Sequence, residues 1–179
     1  MITRLTHRLT RFRKEEAGAV YSLEFVVMFP LLLMALAFGI EFTTHANRQF
    51  QVDRGLDVTT RAIRLNTATQ FTHEDIRDTI CANSGGLDEC DSKMRLEMIA
   101  INPRDFVSLP PMPDCTDTPQ PVNPVRGWSL GQQHELMMLR ACYKFKPVFG
   151  FLGLGQLLGT DSEGYGKMVA ISAFVQEPR

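Results

Sequence analysis

"AGAVYSLEFVVMFPLLLMALAFGIEF", residues 17–42, decides how this chain is built. From Phe25 to Ile40, sixteen consecutive residues carry no charge and no strongly polar side chain. Extended back to Ala17, the segment is 24 residues long, and Glu24 is its only ionisable group apart from Tyr21. A bilayer core of roughly 30 Å takes about 20 helical residues at about 1.5 Å each, so the segment is long enough to span one. A soluble core helix of that length would carry a polar face, and none is present. The reading is a transmembrane helix over 17–41.

The flanks give an orientation. Residues 1–16 hold Arg4, Arg8, Arg11, Arg13 and Lys14 against Glu15 and Glu16. Basic residues before an apolar span mark the cytoplasmic side, which places 1–16 in the cytoplasm and 42–179 outside. From Phe42 onward there are 14 basic and 16 acidic residues, so the body offers no electrostatic track for nucleic acid. The competing reading is a secretory signal, with "ALA" at 35–37 as the small-x-small cleavage site. Against it, the apolar run continues through Phe38, Gly39 and Ile40, and Glu24 interrupts what a signal would leave featureless. Intramembrane carboxylates are costly and sit near an end or find a partner. Glu24 is therefore either an interfacial residue that tolerates its place or a recognition and pairing residue.

The basic stretch, "EEAGA" (15–19), "EF" (24–25) and an apolar run containing Pro30 resemble the prepilin-type start of the TadE-like proteins of the tight-adherence pilus system. The ending "RACYKFKPVFGFLGLG" followed by "GKMVAISAFVQEP" is similar to that family's closing pattern of strand, Pro-containing apolar turn and last strand. The resemblance covers residues 11–50 and 138–178. It implies a prepilin peptidase acting near Gly18 and Ala19, with a glutamate at the fifth mature residue. Counted from a cut after Gly18, Glu24 is the sixth; a cut after Ala19 makes it the fifth. It further implies Glu24 and Phe25 as assembly residues, and other pilin-like subunits and pilus assembly machinery as partners.

Beyond the membrane, apolar residues recur at Phe42, Ala46, Phe50, Leu56 and Ile63, with no proline before Pro103. This spacing predicts that the helix continues to about Asn66, interrupted or frayed near Gly55. Asp53, Asp57 and Arg61 stand four apart and mark a solvated face. "THEDIRDTICAN" (72–83) opens on Thr72 as N-cap with Asp75 three residues on, a capping box with a short acid, and Asn83, Gly85 and Gly86 end it. "KMRLEMIAI" (93–101) alternates, setting Met94, Leu96, Met98 and Ala100 against Lys93, Arg95 and Glu97. "HELMMLRACYKFKP" (134–147) and "GYGKMVAISAFVQ" (164–176) are two further strands. Between the first and second lie seven of the chain's ten prolines, a long irregular excursion that needs a fastener.

Cys81, Cys90, Cys115 and Cys142 can supply that fastener, since an even number of external cysteines reads as disulfides. Three pairings are possible. Cys81–Cys90 would staple the helix end to the first strand, and Cys115–Cys142 would tie the proline-rich loop to the second. Zinc is the weaker reading: there is no CxxC, and His73 beside Glu74 does not share a helical face with it. "FGFLGLGQLLG" (149–159) contains GxG without the strand–helix unit of a dinucleotide site, and its apolar residues read as core or partner surface ahead of lipid. No nucleophile–base–acid set can be assembled, so no catalytic residue and no cofactor is expected.

The expectation is an α+β protein: a cytoplasmic segment 1–16, a transmembrane helix 17–41 extended outward, and a periplasmic head 42–179 with a three- or four-stranded antiparallel sheet and disulfides. The resemblance implies a minor pilin or pseudopilin of a type IVb pilus assembly or secretion apparatus in a bacterial inner membrane. A membrane-anchored periplasmic binding module unrelated to pili is the alternative, and an anchored hydrolase the third.

Overall fold

The computed structural model describes residues 17–65, 71–104, 115, 131–150 and 159–177. Residues 1–16, nearly all of the proline-rich excursion and 151–158 of "FGFLGLGQLLG" lie outside the described residues. The chain divides into two compact units, Met1–Ile40 and Glu41–Arg179.

In the first unit, α1 begins at Ala17 and runs on to Leu65 in the second. Pro30 sits inside the helix without ending it. Fourteen large apolar side chains between Tyr21 and Ile40 are exposed, from Phe29 at 42% to Tyr21 at 73%. Burying each such side chain is worth about 1.5–3 kcal/mol, so the bare stretch forgoes on the order of tens of kcal/mol in water. Among the described residues one helix is long and apolar enough to cross a membrane.

The second unit is a three-stranded antiparallel sheet under helices. α2 spans His73–Asn83, α3 Cys90–Lys93, β1 Met94–Ala100, β2 Leu136–Phe145 and β3 Gly166–Val175. The strand order is β1-β2-β3, with Leu96 opposite Ala141 and Ala141 opposite Ala170. Met94, Met98, Met137, Leu139, Tyr143, Phe145, Met168 and Phe174 line one face of the sheet and meet Val52, Leu56, Ile63, Ile76 and Ile80 from α1 and α2. Strand alternation puts every second residue on this face.

The capping box forms as the sequence indicates. Asp75 N–H donates to Thr72 Oγ1 at 3.2 Å, and Thr72 N–H to Asp75 Oδ2 at 2.9 Å. These Thr72 donors hold the exposed Asp75 carboxyl below the usual carboxylate range. Ser84 closes α2, its N–H donating to Ile80 O, and Gly85 follows with φ 85°. That left-handed position suits a residue without Cβ.

Two expectations for α1 are corrected. The helix passes through Gly55 without a break. A Cβ at Gly55 would lie 2.7 Å from the Ile80 carbonyl oxygen, so the glycine is there to let α2 approach. Thr59 and Thr60 return their hydroxyls to Gly55 O and Leu56 O, each at 2.8 Å, within the same buried turn. The apolar stripe also splits in two. Val52, Leu56, Thr59 and Ile63 form the buried face, while Phe42, Ala46 and Phe50 are exposed. At about 100° per residue, Ala46 and Phe50 lie roughly 80–140° around the helix from Leu56 and Ile63, whereas Phe42 is only about 40–60° off and precedes the buried apolar positions of the second unit, which begin at Val52. The charged face of Asp53, Asp57 and Arg61 is exposed as expected.

Candidate functional site

The residues singled out for processing and assembly lie on α1. Gly18 and Ala19 fall in its first turn. Glu24 is exposed between the exposed Leu23 and Phe25, and the Phe25 ring stacks on Phe29 with centroids 5.0 Å apart. Leu23, Glu24 and Phe25 together present one carboxylate within a wholly apolar, unburied surface. Chemically that surface can pack against lipid or other apolar helices, and its carboxylate can pair with a cation brought by a neighbour.

Sequence reasoning passed over Glu41, the residue that ends the apolar run. It is 3% exposed, and its Oε2 accepts the Phe149 N–H at 2.8 Å. Its Oε1 is buried with no hydrogen-bond partner among the described residues. A carboxylate oxygen left unsatisfied costs more than the roughly 1–3 kcal/mol of a neutral group. Just beyond, His45 packs edge-on against the Phe145 ring at 5.3 Å, and the Arg48 guanidinium lies 5.6 Å from the same centroid. Arg48 Nη1 also donates to Lys146 O at 3.1 Å. The end of β2 and the segment after it are therefore fastened to the first two turns of α1 past Ile40. The available signal was the repeat of "EF": Glu41-Phe42 echoes Glu24-Phe25 at the other end of the run.

The outer face of the sheet is the second feature the alternation concealed. Alternation set Lys93, Arg95 and Glu97 on the face opposite Met94 and Met98, and on that face Glu97 is buried. It stands directly opposite Arg140 in register, and Arg140 Nη1 meets Glu97 Oε2 at 3.4 Å. Two positions along β2, Cys142 is bonded to Cys115, with Cα atoms 5.8 Å apart. Next comes Lys144, also buried, whose Nζ lies 3.2 Å from Asp161 Oδ2. Asp161 additionally accepts from Tyr165 N–H at 2.8 Å and Glu163 N–H at 3.1 Å. Burial pushes its carboxyl up, but these two amides and the Lys144 ammonium outweigh it and hold it below the usual range. The signal for two-sided burial was the unbroken "LMML" at 136–139, which a strand with one wet face would not carry.

The other cysteine pair is Cys81–Cys90, joining the last turn of α2 to α3, with Cα atoms 5.7 Å apart. All four cysteines are paired, in one of the three combinations the sequence left open. Two disulfides fit an oxidising compartment. Tyr143 donates its hydroxyl to Asp88 O at 2.8 Å, and burial pushes its phenol up. His73 is pushed down, chiefly by burial against the head. Among the described residues no group of three His, Cys, Asp or Glu side chains could hold a metal ion. A polar cleft of about 460 Å³ lies between the start of β2 and the end of β3, lined by Gly131, Gln132, Gln133, Gln176 and Glu177. Beside it His134 takes a left-handed backbone with φ 64°.

Comparison with protein-family models, with curated proteins and with solved structures returned no match.

Proposed function

We propose that this chain is a single-pass, pilin-like subunit of the bacterial inner membrane, a minor pilin or pseudopilin serving a tight-adherence pilus or secretion apparatus. Residues 1–16 stay in the cytoplasm and the disulfide-bonded head lies in the periplasm, with α1 extended outward between them. The observation that carries this reading is the bare apolar helix with its single carboxylate. Nothing in the described chain covers that surface, so lipid and neighbouring helices must. The family resemblance of the two chain ends supplies the particular apparatus.

In this role the helix stores the subunit in the bilayer and packs against other pilin-like helices. A carboxylate at a bilayer centre costs about 2.5–3.5 kcal/mol on insertion scales, and less near an interface. Pairing Glu24 with a neighbour's N-terminal amine, freed by a prepilin peptidase near Gly18 or Ala19, recovers that cost only in the assembled state. The carboxylate thus favours assembly over dispersion. Glu24→Ala and Glu24→Gln test this. Both should leave head unfolding unchanged and reduce co-purification with other pilin-like subunits; Gln keeps the size and the hydrogen bonding but loses the charge pair. Normal co-purification of both variants at native expression would make Glu24 a tolerated interfacial residue and remove the pairing mechanism.

The second reading, a membrane-anchored periplasmic binding module, is favoured by the cleft at Gln132, Gln133 and Gln176. Its volume lies within the range of small-molecule sites, and its amides suit a polar ligand.

A further inference from the structure

The Glu41 fastening has a consequence for the head itself. Glu41 directly follows the last residue of the apolar run, and it holds the Phe149 N–H. The segment after β2 is thereby held beside the residue that follows the run in the chain. Three cations gather at this end. Arg48 lies seven residues past Glu41, about 10 Å of helix, and contacts Lys146 O. Lys146 and Lys167 are exposed, Lys146 Nζ standing 6.0 Å from the Tyr165 ring centroid. Lys167 is one register step beyond the Phe145–Gly166 pair.

The carboxylates nearby are largely engaged. Asp161 is taken by Lys144 and Glu89 by Lys93, while Glu163 and Asp88 are exposed. Arg48, Lys146 and Lys167 enter no ion pair among the described residues. Val148, immediately after Lys146 and the buried Pro147, is 48% exposed. An exposed apolar residue flanked by unpaired cations is the pattern of an interfacial contact with anionic lipid. The headgroup layer adds roughly 5–8 Å to each side of the hydrocarbon core, within reach of long cationic side chains on the first turns beyond it.

We propose that this end of the head, Arg48, Lys146, Val148 and Lys167, docks on the anionic phospholipid headgroups of the bilayer that α1 crosses. This rests on the anchored reading above and adds to it a second, lipid-dependent contact that holds the head down on the membrane. The dispersed subunit then carries its head against the bilayer, and leaving the membrane requires breaking a charge-dependent contact as well as extracting the helix. Arginine and lysine near an anionic surface each contribute roughly fivefold in affinity.

The test uses the full chain in nanodiscs of phosphatidylcholine alone and of phosphatidylcholine mixed equally with phosphatidylglycerol. A water-soluble amine-acetylating reagent is applied, and modification is read by peptide mass spectrometry. Lys146 and Lys167 should react several-fold more slowly in the anionic discs than in the phosphatidylcholine discs, which serve as the reference, and high salt should abolish the difference. In a second measurement, Val148→Trp in a Trp128→Phe background should be quenched by brominated phosphatidylglycerol. Adding Arg48→Gln, Lys146→Gln and Lys167→Gln should return that tryptophan to quenching by aqueous iodide. A chain that enters discs but shows equal lysine rates in both lipids and no bromolipid quenching overturns the docking and leaves the anchor standing. A chain that does not enter discs at all overturns both.

Discussion

Replacing Gly55 by alanine sets two terms of opposite sign against each other. In an exposed helix interior the change stabilises by about 1 kcal/mol, because glycine loses more backbone freedom on folding. At this position, however, the added Cβ would lie 2.7 Å from Ile80 O, 3.1 Å from Ile80 Cγ2 and 3.2 Å from Ser84 Cβ. The nearest of these is a backbone oxygen, and it already accepts the Ser84 N–H at 2.9 Å to close α2. Relief requires moving the last turn of α2, which the Cys81–Cys90 bond ties to α3. Overpacking of this kind costs about 1–3 kcal/mol, and a backbone contact belongs at the upper end. The expected net loss is about 1–2 kcal/mol, or roughly 4–8 °C in Tm for a head of this size. The assay is thermal and urea unfolding of the full chain in detergent micelles, followed by near-ultraviolet circular dichroism. Gly39→Ala is the control, since no atom lies within 4 Å of its Cβ position, and it should leave head unfolding unchanged. A Gly55→Ala chain as stable as the parent, or more so, would refute the close approach of α1 and α2.

Three further perturbations follow from the same structure. Replacing Cys115 and Cys142 together by alanine should destabilise the head by about 3–4 kcal/mol in urea unfolding, more than the roughly 2.5 kcal/mol expected for the shorter Cys81–Cys90 loop under the chain-entropy account; equal losses would contradict it. Arg140→Ala alone should cost about 3–5 kcal/mol by stranding the Glu97 carboxylate, whereas Arg140→Met with Glu97→Leu should be near neutral, a contrast that a double-mutant cycle reads directly. Because burial lowers the His73 pKa in the folded head, the unfolded chain takes up the proton first; head stability should hold above about pH 6.5 and fall as pH drops below it, and His73→Asn should flatten that slope.

The long apolar helix was legible because it is a matter of composition and length: sixteen charge-free residues admit few environments. The capping box at Thr72 and the three strands were legible for similar local reasons. What escaped depended on tertiary contact. Gly55 looked like a helix breaker because propensity sees the residue and not the neighbouring helix that its missing Cβ admits. Phe50 fell in the same apolar series as Leu56 and Ile63 although its angular position sets it apart from them, and Phe42 precedes the buried apolar positions of the second unit, which begin at Val52. The burial of Glu97 and Lys144 escaped because alternation marks a charged position without showing what covers it; Glu97 pairs with the buried Arg140 and Lys144 with the half-buried Asp161 on the outer face, where Cys142 also carries its bond to Cys115. Glu41 was read as the end of a membrane span, and its buried bond to Phe149 could be found only from the folded head.

The central claim is that the apolar segment remains in the working protein as an anchor. Intact-mass measurement of the chain extracted from its host membranes after carbonate washing tests it most directly. The account predicts a membrane-retained species that contains the whole Phe25–Ile40 run, either uncleaved or cut beside Gly18 or Ala19. A carbonate-released soluble species beginning at Phe38 would contradict it, since the segment would then have served only as a signal for export.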